Sequence, residues 1–296
     1  MSADKHNTNN PFQNNYSDQA DELLVQAAIA GDKNALQNLI LRHQVFVYNL
    51  ALKMTKDKSD AEDLTQEVFI KAITALSKFE SKSKFRTWLY RITVNHFLND
   101  SRKKSLHPLD FENYFNELDN VPVNDLNEQE KVEMADSVEE LRIRCTSGML
   151  LCLDKKQRLI YILGDLFEVG HRMGAEIVGI SSANFRISLM RARNDLQNWM
   201  TKRCGLLNPE NPCRCSKKTK AFIELGIVNP KDLQFNIRYK MKIAELSRKN
   251  ADNIVNTVEA IQKKIFQSHP LQEPANANKI VDEVVNNDLI KMVLSV

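Results

Sequence analysis

From Ser59 to Phe69 acidic and apolar residues interleave at helical spacing, and a short loop later the chain turns aromatic and basic. Ala61, Leu64, Val68 and Ala72 recur on one side of a 3.6-residue period, which specifies an amphipathic helix. That period leaves Asp60, Glu62, Asp63, Gln66 and Glu67 facing solvent. Ser59 with Glu62 three residues on predicts a capping box at the helix start. A Lys/Ser-rich loop, Lys78 to Lys84, leads into Phe85-Arg86-Thr87-Trp88-Leu89-Tyr90-Arg91-Ile92. One half of this pair suits a basic protein surface and the other a nucleic acid.

The rest of the chain fits an all-α protein. Eight Gly and eight Pro in 296 residues fall below the usual shares of about 7% and 5%. Helices are expected near 18–31, 33–54, 59–77 and 85–103, a compact domain over 19–104. Residues 105–136 carry Pro108, Pro122 and repeated Asn/Asp without a sustained period, so a flexible acidic linker is expected there. Helices resume near 137–151 and 155–168 in a domain over 137–203. A Cys/basic loop over 204–220 follows, then a helical extension over 221–296 with helices near 231–266 and 275–294. Residues 1–18, Asn-rich and polar, read as a disordered tail without the apolar h-region of a signal peptide. No apolar run nears the roughly 18–20 residues of a membrane span, so a cytoplasmic location without membrane insertion is expected.

The net charge of +3 hides a segregation. Residues 78–104 hold eight Lys/Arg against two acids, and residues 186–220 nine against two. Between them, residues 110–140 hold eleven Asp/Glu and one Lys. Two basic blocks around an acidic tether suit a polyanion gripped at two places, although each block alone also fits a solvated helix face.

The second basic block starts in a helix-turn-helix pattern. His171-Arg172-Met173-Gly174-Ala175-Glu176-Ile177-Val178-Gly179-Ile180-Ser181 places the small Ala175 where two helices touch, and Gly179 where the turn calls for positive φ. From Ser182 onward Phe185, Leu189, Ala192, Leu196 and Trp199 make an apolar stripe that belongs to a core. Ala183, Arg186, Ile187, Met190, Arg193 and Asn194 lie opposite, and the first of these would enter a major groove if the helix reads DNA.

Asp60-Ala61-Glu62-Asp63-Leu64, Gln66-Glu67-Val68-Phe69, the Phe85–Ile92 block and Asn95 resemble region 2 of extracytoplasmic-function (ECF) sigma factors of the sigma-70 family. Ala175 to Ile180 and Arg191-Ala192-Arg193 resemble region 4 of the same proteins, in the same order. The likeness spans roughly residues 20–200. It implies that Asp60, Glu62, Asp63, Gln66 and Glu67 dock on core RNA polymerase. It implies that Phe79, Ser83, Lys84, Arg86, Trp88, Arg91, Asn95, Asn99 and Arg102 bind the minus-10 element and its opened strand. Ser182, Ala183, Asn184, Arg186, Ile187, Met190 and Arg193 would bind the minus-35 element. Promoter DNA, double- and single-stranded, is thus an implied partner, and an anti-sigma factor is a further one that such proteins admit. The acidic linker resembles the stretch that threads toward the RNA exit path, with a solvated spacer as the alternative.

The segment supports part of this physically. Positions 91, 95, 99 and 102 form one polar helical stripe, with Phe85, Leu89, Ile92 and His96 on another, and melted bases need cationic contacts beside an apolar pocket. Trp88 fits both a core position and a base contact. Two departures bear on region 4. Asn184-Phe185-Arg186-Ile187-Ser188 loses a commonly basic position, and Ala183, Ile187 and Met190 are poor in hydrogen-bond donors, which shifts readout toward Asn184, Arg186 and DNA shape. His171-Arg172-Met173-Gly174 also replaces a more acidic helix start.

Cys204, Cys213 and Cys215 form C-x8-C-x-C. With a fourth ligand they would suit zinc or another thiophilic metal; the other reading is three reduced thiols. Cys145 and Cys152 read as packing residues. No phosphate loop, nucleophile elbow or paired His/carboxylate motif is present, so an enzyme is not expected. The alternative to a sigma factor is a helix-turn-helix regulator that acts without core polymerase.

Overall fold

The computed structural model describes residues 11–12, 16–99, 108–234, 258–269 and 271–294. Among these residues every regular element is helical. No described helix is long and apolar enough to cross a membrane. Contacts divide the described residues into two compact units, one drawn from 1–107, 155–189 and 271–296, the other from 108–154 and 190–270.

In the first unit, α1 (Asp18–Ile29), α2 (Lys33–Thr55), α3 (Lys58–Thr74) and α4 (Phe85–Asn99) pack side by side. The core is aliphatic and aromatic: Leu36, Leu50, Met54, Leu64, Val68, Tyr90 and Phe97 are all fully buried. The start of α3 differs from the expected capping box. Asp57 is the cap, accepting from the Asp60 amide at 2.8 Å, because Lys56 turns the chain at φ 61° before it. Ser59 lies inside the first turn and caps nothing.

Of the expected disordered tail over 1–18, residues 1–10 and 13–15 lie outside the described residues, while the described residues 11–12 and 16–18 are packed. Phe12 packs on Phe46, Tyr90 and Phe167. The Tyr16 hydroxyl donates to Asp21, which also accepts from Arg42 Nε at 2.8 Å and lies 3.1 Å from His43 Nε2. Burial pushes the Asp21 carboxyl up, but His43, Arg42 and Tyr16 outweigh it and hold it below the usual carboxylate range. Aromatic residues inside a polar stretch supply the anchoring that its average composition conceals.

The same unit takes in part of the second expected domain. α8 (Lys155–Tyr161) contributes Arg158, fully buried, whose Nη1 donates to the Met54 carbonyl at 2.6 Å. A π turn (Ile162–Leu166) leads to α9 (His171–Val178), which rests on α4. Gly179 takes φ 72° and turns the chain into α10 (Ser182–Arg203). Gly174 packs on α10, where a Cβ on it would lie 2.5 Å from Phe185 Cζ, and Ala175 beside it is buried.

In the second unit the expected linker is folded. α5 (Phe111–Asn120) and α6 (Glu128–Glu133) precede α7 (Ala135–Leu150). Phe115, Leu118 and Leu126 are buried, and Phe111 and Phe115 stack on Trp199 with centroids 5.6 and 5.8 Å away. Residues 111, 114, 115 and 118 give the acidic stretch an apolar stripe, which is why it packs. α11 (Cys215–Glu224) begins within the expected Cys/basic loop and takes up its last six residues, and its Lys218 donates to the Leu118 and Val121 carbonyls. α12 (Val258–Gln267) lies against α7, where Arg142 donates to the Ile265 carbonyl.

The expected extension over 221–296 is therefore not one element. Its end, α13 (Ala277–Val285) and α14 (Asp288–Leu294), belongs to the first unit and lies against α2 and α3. Ile280, Val281, Val284, Val285 and Ile290 are buried there, each worth about 1.5–3 kcal/mol relative to exposure. Of the helix expected near 231–266, residues 235–257 lie outside the described residues.

Candidate functional site

The acidic face of α3 is built by its apolar stripe. Ala61, Leu64 and Val68 are fully buried, and their burial turns Asp63 outward while Asp60, Glu62, Gln66 and Glu67 stay half-buried at its edges. Not all of these groups face water alone. Glu67 lies 3.2 Å from His96 Nε2 on α4. Glu62 accepts from Asn276 through both carboxylate oxygens, at 3.3 Å from the amide and 2.9 Å from Nδ2.

After α3 a single 3-10 turn (Leu76–Lys78) delivers Phe79 beside the start of α4. Its ring lies 5.8 Å from Phe85 and 5.3 Å from Trp88, and Phe85 and Trp88 are 5.8 Å apart. Phe85 is buried, whereas Phe79 and Trp88 keep part of their rings accessible. Trp88 is thus partly core and partly surface. The three rings form an apolar ledge flanked by half-exposed Ser83 and exposed Lys84, which pairs with Asp18 at 2.5 Å.

Arg86 requires correction as a strand contact. It is buried, its Nε 2.8 Å from Asp18 and its Nη1 bonded to the Pro11 carbonyl. A buried guanidinium held by a carboxylate and a carbonyl anchors the N-terminal segment instead. The polar stripe further along α4 is otherwise accessible: Asn95 and Asn99 are exposed, and half-exposed Arg91 donates to the Glu176 carbonyl at 3.2 Å on α9. Arg102 lies outside the described residues. Of the apolar stripe, Phe85 and Leu89 are buried, while His96 is buried but polar.

At the helix-turn-helix, Ser181 Oγ accepts from the Asn184 amide at 3.2 Å and caps α10. Phe185 and Leu189 face inward, so Ala183, Asn184, Arg186, Ile187 and Met190 are exposed and Ser182 half-exposed. Arg193, further along, pairs with Glu259 at 3.0 Å.

Cys204 and Cys213 sit side by side in an isolated parallel bridge, with the Gly205 amide donating to the Cys213 carbonyl at 2.9 Å. Cys145 joins them, which its position on an apolar helix did not suggest: burial first, then Cys145, Cys204 and Cys213, push the Cys215 thiol well up. Burial likewise raises Cys204 and Cys213. Among the described residues no group of three or more His, Cys, Asp or Glu side chains is disposed to hold a metal ion.

Three residues that matter here escaped the sequence. Asn276 reaches Glu62 from 214 positions away, and no local pattern announces it. Asn49 and Gln44 bond the backbone of Gln272 and Ala277; two amides interrupting the apolar run of α2 were the available signal.

The family model described as sigma-70 region 2 matches residues 39–106, which takes in α3, the aromatic ledge and α4. The RNA polymerase sigma-H factor of Pseudomonas aeruginosa is 39% identical over 90 residues, 30% of this chain and 47% of that protein. This chain thus spans about half the length of that relative. The RNA polymerase sigma factor YlaC of Bacillus subtilis is 28% identical over 175 residues, 57% of this chain and 94% of YlaC. The ECF RNA polymerase sigma-E factor of Escherichia coli K12 is 26% identical over 182 residues, 60% of this chain and 93% of that protein. A solved structure, CnrH in complex with the cytosolic domain of CnrY, aligns at 23% identity over 62% of this chain and 98% of that one, with a TM-score of 0.44.

Proposed function

We propose that this chain, which belongs to the ECF type of the sigma-70 family, acts as an RNA polymerase sigma factor with no catalytic chemistry of its own. The observation that carries the reading is the pairing of α3 with α4. An acidic helix face is followed directly by an apolar ledge and a polar stripe, within the stretch that matches sigma-70 region 2. Asp60, Glu62, Asp63, Gln66 and Glu67 meet a basic surface of core polymerase. Charge at such a contact speeds encounter and fixes orientation.

Strand opening follows from the ledge. Phe79 and Trp88, backed by buried Phe85, offer aromatic surface to an unstacked base of the minus-10 element, worth about 1–3 kcal/mol per stacked base. Lys84, Arg91, Asn95 and Asn99 track the strand beside it. Meanwhile the exposed start of α10, from Ser182 to Met190, enters the major groove of the minus-35 element. Its few donors leave Asn184 and Arg186 as the polar readers. A regulator acting without polymerase is not favoured, since residues 39–106 lie outside the helix-turn-helix and have no use in one.

Binding of the full chain to core RNA polymerase tests the reading. Asp60→Lys with Asp63→Lys should weaken association about tenfold to a hundredfold, or ~1.4–2.8 kcal/mol, with helix content unchanged. Equal affinity of wild type and double variant would remove α3 from the interface.

A further inference from the structure

Residues 271–294 are held on α2 and α3 by contacts of two kinds. The first is apolar: Pro274, Ile280, Val281, Val284, Val285 and Ile290 are buried in the first unit. The second is a set of matched amides. Asn49, fully buried on α2, donates to the Gln272 carbonyl at 2.7 Å and accepts from its amide at 2.9 Å. Gln44, also buried on α2, donates to the Ala277 carbonyl at 2.9 Å. Asn276 then takes both oxygens of Glu62 on α3.

Buried amides are costly unless they are bonded. Asn49 and Gln44 therefore specify the backbone path of 272–277 rather than any apolar segment. The segment is thus a ligand recognised by its own chain, and it ends on the acidic helix. Net charge does not favour it there, since residues 271–294 carry four acids (Glu273, Asp282, Glu283, Asp288) against Lys279 and Lys291, and α3 likewise carries four acids against Lys58 and Lys71.

We propose that residues 271–294 are an intramolecular occupant of the polymerase-docking face, which core polymerase displaces in order to reach Glu62 and its neighbours. The proposal rests on the docking role given to α3 above. The free chain then divides between a closed form and a minor open form. Its apparent affinity for polymerase is reduced by the open fraction. Because amides and apolar burial hold the closed form, salt does not open it, although salt does weaken the charged contact that replaces it.

Hydrogen exchange of the full chain, alone and with saturating core RNA polymerase, tests this. Amides of residues 277–291 should lose protection as those of 60–67 gain it. Val284→Asp in the full chain should tighten polymerase binding by about tenfold or more, as an open fraction of a few per cent requires. Asn276→Ala, at an exposed position, should tighten it less and guards against misfolding of the first variant. Residues 277–291 remaining protected while α3 becomes protected would overturn the proposal. So would Val284→Asp and Asn276→Ala both binding at wild-type affinity. If α3 gains no protection from polymerase, the docking role of α3 falls and the proposal with it.

Discussion

The acidic face of α3 and the opening turns of α10 are both polar faces on helices held by apolar stripes, yet they are kept differently. Glu62 is engaged by Asn276, and α13 and α14 lie on α3. Ala183, Asn184, Arg186, Ile187 and Met190 are exposed. In the docking role proposed for α3 a cover is useful, because an uncovered acidic helix would meet any basic protein. In the groove-reading role proposed for α10 no cover is needed, since a few exposed side chains without a docked polymerase give only weak, salt-sensitive DNA binding.

The largest change expected on the α10 side comes from its support. Phe185→Ala empties the space against Gly174 and should cost about 3–5 kcal/mol of stability, measured by denaturant unfolding, with loss of minus-35 binding. Retained promoter affinity in a destabilised variant would mean that α10 is not the reader.

A middle-sized effect should separate opening from docking. Arg91→Ala with Asn95→Ala should leave polymerase affinity unchanged and slow promoter melting about tenfold, ~1.4 kcal/mol in the barrier, as followed by permanganate reactivity. A premelted template should bypass the defect. Equal melting on duplex DNA would strip the α4 stripe of its role.

The smallest effect belongs to Arg186. As a phosphate contact, Arg186→Ala should weaken the holoenzyme on all sequences and lower the salt slope by about one. A loss confined to one guanine, roughly 1–3 kcal/mol, would make it a base reader, and no loss at all would leave it a solvated charge.

What the sequence made legible was whatever repeats along a helix. The stripes of α3 and α10 and the turn at Gly179 follow from spacing and from the one residue that takes φ 72° without strain. Partners far away in the chain were not legible. Arg86 sits in a basic block and reads as a DNA contact, but Asp18, 68 positions earlier, claims it. The 110–140 stretch looks like a spacer because eleven acids dominate its composition, while Phe111, Phe115 and Leu118 supply a stripe narrow enough to overlook. Residues 271–294 show an amphipathic period, but where that period docks depends on Asn49 and Gln44, which look like interruptions in α2.

In vitro transcription from promoter fragments, with core RNA polymerase and the full chain, decides whether the chain directs initiation. Transcripts with defined 5′ ends should appear only when the chain is present, be lost with Asp60→Lys/Asp63→Lys and be unaffected by added salt-matched control protein. A chain that binds those fragments alone and leaves every transcript start unchanged would contradict that role.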